Sequence, residues 1–471
     1  MKPGGASKSS AGASSTLMIS VSGMRGLVGT DLTPELVARY AAAFGGWARD
    51  SGAPRVVVGR DARTSGEMFV RAATAGLQSV GAGVIDVGMV PTPTVQMAVE
   101  HHRAGGGLIV TASHNPIEWN ALKFVGPDGI FLDADAGAVV RRLAEAGPLR
   151  AGWDGIGDVT HDGAAVSRHL DAIEALPDVD AGSIAARQFH VALDCVRGAG
   201  APSMLSLFDR LGVRVTGINL ESDGLFPRPP EPVPENLGAL GELVQRSGAD
   251  LGMAVDPDVD RLALVDENGR PIGEDYTLAI AIRSVLRRAA PGTSPVVVAN
   301  LSTSLVVRDA VGAGGGRLVL APVGEANVAR AIRAEGALIG GEGNGGVILP
   351  ALHTGRDAPL AAALILQHLA AAGRSLSQVV AEAPRYVIIK ARTGRGGDLE
   401  RQYGRLERAF PEAECDRRDG LRLGWPDRWL HVRPSGTEPI VRLIAEASTE
   451  ELAAGLVERA REIVASGAPR G

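Results

Sequence analysis

Leu251-Gly252-Met253-Ala254-Val255-Asp256-Pro257-Asp258-Val259-Asp260-Arg261 reads as a buried strand that ends in an acidic loop. Five small or apolar residues in a row fit a strand covered on both faces, and the run stops at a carboxylate. Upstream, Phe189 to Leu193 is a similar run, with a helical stretch between the two. Downstream, Val296-Val297-Val298 leads through a helix after Ser302 to Ala337-Leu338-Ile339. Toward the N-terminus the same alternation links Val56-Val57-Val58, Gly83 to Val87 and Leu108-Ile109-Val110. Before them, Thr33-Pro34 offers an N-cap and a proline at the first helical position. Leu36, Val37, Tyr40, Ala41, Phe44 and Trp47 then mark one helical face. Strands alternating with helices predict mainly parallel sheets covered by helices.

After about residue 384 the texture changes. Tyr386 to Ile389 reads as a strand, and Asp419 to Glu446 as two extended runs joined by a turn at Trp425-Pro426-Asp427. Ser448 to Glu451 reads as a capping box that opens a last helix. The expected organisation is a disordered tail at 1–16, α/β units at 17–165, 166–266 and 267–383, and an α+β unit at 384–471.

The 471 residues are 45% apolar and 22% charged, which excludes a wholly disordered chain, a collagen repeat and a small disulfide scaffold. The 62 glycines are nearly twice the usual ~7% and show no period, so they predict tight loops close to a ligand. Aromatic residues are only 4% of the chain, too few for base-stacking platforms. The net charge is −6 with no basic block, which argues against nucleic-acid and anionic-membrane partners. There are only four lysines, so Lys123, inside a motif, draws notice. Cys195 and Cys415 read as reduced, buried small hydrophobes of a cytoplasmic protein. The first 17 residues lack the apolar core of a signal peptide. Ala358 to Gly373 is shorter than the ~20 residues of a membrane span and predicts a buried helix.

Polar, glycine-rich segments follow several of the strands, where open α/β sheets bind ligands. Asp256, Asp258 and Asp260 at alternate positions suit a hard cation, Mg²⁺ where phosphate is present; a solvated acidic turn is the plainer alternative. Thr111-Ala112-Ser113-His114-Asn115-Pro116 places a hydroxyl past a strand and beside an expected helix N-terminus. There Ser113 is either a helix cap or a phosphoryl carrier. His114 beside it does not make a triad, whose partners meet through space. Arg433-Pro434-Ser435-Gly436-Thr437-Glu438-Pro439 fits a phosphate cradle or a surface turn. Gly340 to Gly346 is too glycine-rich for a helix or strand interior, which predicts an exposed loop. On it Glu342 and Asn344 would meet sugar hydroxyls, unless the loop is only a flexible linker.

In order along the chain, TASHNP (111–116), DPDVDR (256–261), GEGNGG (341–346) and RPSGTEP (433–439) resemble the four loops of the α-D-phosphohexomutase superfamily. The likeness spans about residues 17 to 465. It implies an α/β fold: three similar α/β domains with mixed, mainly parallel sheets and a C-terminal α+β domain around a central cleft. It implies a phosphoserine at Ser113, with one Mg²⁺ held by that group and by Asp256, Asp258 and Asp260. Arg25, Arg60, Lys123 and His114 would complete the reacting site, with Lys123 as the proton-transfer candidate if crowding by cations lowers its pKa. Glu342 and Asn344 would read the sugar, and Arg433, Ser435, Gly436, Thr437 and Arg442 would hold the phosphate that is not reacting. The reaction would move a phosphoryl group between O6 and O1 of a hexose or hexosamine phosphate, with a sugar 1,6-bisphosphate as activator, in a monomer or homodimer.

Several positions depart from the family pattern. The early loop Ile19 to Gly26 keeps Gly-x-Arg-Gly but not the usual Thr-Asp, and Pro257 replaces a usual glycine. Asn344 and Gly346 stand where many members carry Ser and His, which removes a possible acid/base. The alanine of TASHNP and the ENGG-like sugar loop favour glucosamine phosphate; a dual phosphoglucomutase/phosphomannomutase is the alternative. A haloacid-dehalogenase-type phosphatase would want a lysine after its Asp-x-Asp, and Lys390 alone follows Asp256. A regulatory sugar-phosphate sensor would not need Ser113 and three aspartates intact.

Overall fold

The computed structural model describes residues 17–20, 23–290, 292–395, 397–435 and 440–465; the tail expected at 1–16 lies outside them. Four sheets follow one another along the chain. In the first, the strands Gly106–Val110, Arg55–Arg60, Gly83–Met89 and Val159–His161 run parallel. Trp119–Val125, Gly23–Leu27 and Met18–Ser20 extend it antiparallel. The second sheet has Leu251–Val255, His190–Asp194 and Arg214–Ile218 parallel, with Leu262–Val265 antiparallel on Leu251–Val255. The third repeats that plan: Arg317–Ala321, Val296–Asn300 and Ile339–Glu342 are parallel and Gly346–Ile348 is antiparallel. The last sheet is wholly antiparallel and packs the helices Leu399–Ala409 and Glu450–Ala465. Three α/β units and one α+β unit are therefore present, as the strand rhythm predicted.

The topology explains where the marked loops sit. In each α/β unit the chain leaves a parallel strand and turns straight back into an antiparallel neighbour. Residues 111–118, 256–261 and 343–345 are those three turns. The loop around Ser113 thus leads into the strand Trp119–Val125, and the helix expected after it does not form.

Local signals largely hold. Thr33 caps the helix Pro34–Asp50 by accepting from the Leu36 N–H. Ala358–Ala372 is a buried helix, and no helix among the described residues is long and apolar enough to cross a membrane. Three details differ. From Asp419 onward there are three strands, Leu421–Gly424, Trp429–Pro434 and Ile440–Ala447, because the last two pair antiparallel with each other instead of forming one extended run. Thr449, not Ser448, caps the last helix by accepting from the Leu452 N–H. Cys195 is buried, whereas Cys415 is exposed at the edge strand Glu414–Asp416.

Buried polar joints tie the units together. Asp357 accepts from Nε2 of His169 at 2.7 Å and of His353 at 3.0 Å, while His169 Nδ1 meets the Thr94 hydroxyl at 2.9 Å. Burial opposes the Asp357 charge, but the two imidazoles hold its pKa well below the carboxylate range. Glu446, from the last sheet, accepts from Ser304 Oγ, from the Leu305 N–H at 2.7 Å and from Trp429 Nε1 at 2.6 Å. Each joint spans units, so the three turns are held against one another.

Candidate active site

The turns meet at a cavity of about 820 Å³. Arg25, Ser113 and Lys123 line it from the first unit, Arg261 from the second, Glu325, Glu342, Asn344 and Arg356 from the third, and Arg433, Ser435 and Arg442 from the last.

Ser113 is held by its neighbours in a left-handed conformation, φ 49°, which a non-glycine residue adopts only under constraint. Its N–H donates to Thr111 Oγ1 at 2.9 Å, and the Thr111 hydroxyl donates to Asp61 Oδ2 at 2.6 Å. The larger constraint is Arg63, which is buried. Its guanidinium donates to Asp61 Oδ2 and to the carbonyls of Ser113, Asn115, Pro116 and Trp119, so all five N–H groups are used. One rigid fork thus sets the backbone of the whole turn. The Ser113 hydroxyl donates to Asp256 Oδ2 at 2.9 Å and lies 3.3 Å from His114 Nδ1. Arg261, and then burial, push the His114 imidazole well below its ordinary pKa, so it is neutral.

In the acidic turn one oxygen of each carboxylate is fixed by donors around it; the second oxygen of Asp256 takes the Ser113 hydroxyl, and those of Asp258 and Asp260 have no hydrogen bond. Asp256 Oδ1 accepts from the N–H groups of Asp260 and Arg261, at 3.1 and 3.2 Å, leaving Oδ2 toward Ser113. Asp258 Oδ2 accepts from Lys123 Nζ at 2.7 Å and Thr92 Oγ1 at 2.9 Å, and its Oδ1 is buried without a hydrogen bond. Asp260 Oδ2 accepts from Arg356 Nη2 at 2.6 Å, and its Oδ1 is likewise buried without one. Ligand atoms of the three lie within 4.8 Å of one another. Burial, then Asp260 and Asp258, raise the Asp256 pKa well above its ordinary value, the mark of negative charge in want of a cation. Three fixed carboxylates offering hard oxygen atoms fit a divalent metal ion.

Lys123 differs from expectation. Burial pulls its ammonium down, but Asp258 and Asp260 outweigh burial and hold its pKa above the usual lysine value. Its Nζ is paired with Asp258 Oδ2 at 2.7 Å, so the lowering by neighbouring cations that the sequence suggested is not what surrounds it.

The glycine-rich segment is a tight hairpin, not an exposed loop. Glu342 ends the strand Ile339–Glu342 and is 2% exposed, and Gly346 begins the next strand. The glycines are there because other groups come close. A Cβ on Gly343 would lie 2.2 Å from Asp275 Oδ1, and one on Gly346 would lie 2.2 Å from Arg356 Cδ. Glu342 Oε1 accepts from Asn300 Nδ2 and the Gly324 N–H, both at 2.9 Å, and Oε2 from Arg356 Nη1 at 2.8 Å. Burial opposes its charge, yet Arg356 and these donors keep its pKa below the usual glutamate value. Asn344 turns inward to accept from the Gly346 N–H at 3.2 Å.

Across the cavity, Arg433 and Arg442 are register partners on neighbouring strands, and Arg433 faces Asp419 Oδ2 at 3.2 Å. Ser435 closes the strand end by donating its N–H to the Ile440 carbonyl at 2.9 Å. Gly436 and Thr437 lie outside the described residues. Arg25 bonds Asn115 Oδ1 at 3.1 Å. Burial, then Arg261 and Arg442, lower its pKa. Arg60 is not brought to the cavity wall; its Nη1 donates to the Asp61 carbonyl at 2.9 Å, alongside Gly66.

Arg63, Glu325 and Arg356 escaped the sequence reading. Arg356 carried one usable signal: with Asp357 it forms a charged pair directly before a mostly apolar, buried helix, a place where charge is retained only if paired. Arg63 carried none, because the carbonyls it binds are invisible in a list of side chains.

Comparison with known proteins accounts for nearly the whole chain. The phosphoglucomutase/phosphomannomutase family models match in order: alpha/beta/alpha domain I at 17–149, domain II at 167–269, domain III at 273–386 and the C-terminal domain at 402–463. A phosphoglucomutase/phosphomannomutase of Thermococcus kodakarensis is 38% identical, covering 93% of this chain and 96% of its own. A probable phosphoglucosamine mutase of Methanopyrus kandleri is 37% identical, with 94% and 96% covered. A solved phosphoglucomutase/phosphomannomutase family protein from Burkholderia thailandensis is 27% identical, with TM-score 0.85 over 96% of this chain and 99% of that one.

Proposed function

The chain belongs to the phosphoglucomutase/phosphomannomutase family, and we propose from this premise that it is a phosphohexomutase interconverting glucosamine 6-phosphate and glucosamine 1-phosphate through a phosphoserine at Ser113. The observation that carries this reading is the Ser113 hydroxyl on Asp256, beside two buried aspartate oxygens without hydrogen bonds, in the cavity that Arg433 and Arg442 also line. One cavity therefore holds a group that can carry a phosphoryl and, from a different unit, two cations for a second phosphate.

The transfer balances simply. The phosphorus–Oγ bond of phosphoserine breaks, its electron pair staying on Ser113 Oγ, as a sugar hydroxyl bonds to phosphorus; the proton lost by that hydroxyl replaces the one Oγ takes up, with His114 beside Oγ, and a 1,6-bisphosphate results. After that intermediate turns over, the other phosphoryl returns to Ser113 Oγ. Lys123, Arg25 and Arg261 carry fixed positive charge beside the path, which suits a reaction that proceeds by positioning and electrostatics. Neutral His114, 3.3 Å from Ser113 Oγ, is placed to share a proton with it. Asp256, Asp258 and Asp260 would hold Mg²⁺, which when bound neutralises charge on the transferring phosphoryl group. Asn344 and Glu342 would face the sugar, and Arg433, Ser435 and Arg442 the resting phosphate. A sugar 1,6-bisphosphate would prime the enzyme by phosphorylating Ser113. A cytoplasmic location fits the exposed free thiol at Cys415.

The deciding experiment compares kcat/KM for glucosamine, glucose and mannose 1-phosphates with Mg²⁺ and matched bisphosphates. A clear preference for the amino sugar is expected. Equal or higher rates on glucose and mannose would make this a dual phosphoglucomutase/phosphomannomutase instead.

A further inference from the structure

Arg356 bridges the acidic turn and the strand end that enters the glycine-rich hairpin. Nη2 donates to Asp260 Oδ2 in the acidic turn at 2.6 Å, and Nη1 donates to Glu342 Oε2 in the glycine-rich hairpin at 2.8 Å. Nε faces Glu325 Oε2 at 3.2 Å, and the Arg356 N–H donates to the other oxygen of Glu325 at 3.2 Å. The side chain is 8% exposed, and its stem lies against Gly346. The next residue, Asp357, is anchored by two histidines and caps the following helix. Backbone, stem and head are all held, so the guanidinium plane cannot follow one carboxylate without moving against the other.

That geometry has a consequence for binding. Asp260 presents only Oδ1 because Arg356 occupies Oδ2. Glu342, on the other side of that guanidinium, accepts from Asn300 and from the N–H of Gly324, and Glu342 and Gly324 line the cavity. We propose that Arg356 is a positioning residue through which divalent-cation binding at the acidic turn and sugar-phosphate binding at the hairpin are coupled. The proposal rests on the mutase reading for the identity of the sugar phosphate. Coupling of this kind is reciprocal: each ligand tightens the other by the same factor.

The test titrates Mn²⁺ into the full-length, metal-free, dephosphorylated protein by electron paramagnetic resonance, with and without saturating glucosamine 6-phosphate. In the unaltered protein the sugar phosphate is expected to lower the Mn²⁺ Kd about fivefold or more. In Arg356→Lys, which keeps the charge but cannot bridge two carboxylates, the ratio of the two Kd values should fall to about one. Gly346→Ala presses a methyl group on the Arg356 stem and should lower the ratio with the arginine still present, a second route should Arg356→Lys fail to fold. Direct attraction between the sugar's phosphate and the metal ion would survive both substitutions. An unchanged ratio in a folded variant therefore overturns the proposal, as does a ratio of one in the unaltered protein. Because nothing in this readout requires turnover, coupling without interconversion would sink the mutase reading alone. Interconversion without coupling would sink only the role of Arg356.

Discussion

The Ser113 hydroxyl donates to Asp256 Oδ2 at 2.9 Å, joining residues 143 positions apart in turns of two different sheets. The pairing holds because Arg63 sets the backbone of one turn and the N–H groups of Asp260 and Arg261 set the carboxylate of the other. Ser113→Ala is expected to lose turnover by at least about a thousandfold with the fold intact by circular dichroism. Near-normal rates in that variant would end the phosphoserine mechanism.

Asp260 has one oxygen committed to Arg356 and one without a hydrogen bond, 3.8 Å from Arg261 Nε. Asp260→Asn should weaken Mg²⁺ binding by at least about tenfold, measured by calorimetry on the metal-free protein. Chelation with EDTA should abolish activity, and added Mg²⁺ should restore it.

Arg63 is buried with every donor used. Arg63→Met leaves four carbonyls and the Asp61 carboxylate without that partner, a loss of about 3–5 kcal/mol by the scale of broken buried ion pairs. A fall in the urea midpoint is the expected result. Unchanged stability would mean that water enters the turn and replaces the guanidinium.

Burial, followed by nearby arginines, brings His368 down to about 4. His431, also depressed chiefly by burial, reaches about 4 between Ser302 and the Asp419 carbonyl. Both are neutral in the fold and have an ordinary pKa near 6.5 when unfolded. As pH falls from about 6.5 to 4 the unfolded chain takes up protons that the folded chain does not, so stability falls by up to about 1.4 kcal/mol per pH unit for each histidine. Asp275, raised to about 8 by burial, contributes the opposite slope, so the comparison is of urea midpoints of the unaltered protein and His368→Gln at pH 7 and 5: the gap between them should change in favour of the variant at pH 5.

Two glycines should respond in opposite ways to alanine. Gly343 faces Asp275 Oδ1 at 2.2 Å and the Thr303 backbone at 3.2 Å, so Gly343→Ala should cost about 1–3 kcal/mol. Gly46 lies inside the helix Pro34–Asp50 with nothing within 4 Å of an added Cβ. Gly46→Ala should therefore stabilise by about 0.4–1 kcal/mol, read from thermal melts of the two variants.

Much of this protein is written locally. Apolar runs interrupted by amphipathic stretches specify three α/β units, since strand and helix periods are properties of a few neighbouring residues. Ser113 and the three aspartates stand out for the same reason: their chemistry lies in contiguous motifs. Long-range return of the chain was not legible. That the Ser113 turn leads into a strand depends on the antiparallel pairing of Trp119–Val125 with Gly106–Val110, and that Glu342 is buried depends on the Gly346–Ile348 partner. Charge state was equally hidden. Lys123 has its pKa held up against burial by Asp258, 135 residues away and 2.7 Å from it, and by Asp260. The sequence by itself determined the motifs that mark the candidate site and the parallel strands that precede three of them. Tertiary structure alone decided which donors hold them, because a buried guanidinium or carboxylate takes its role from groups that meet it only once the units have packed.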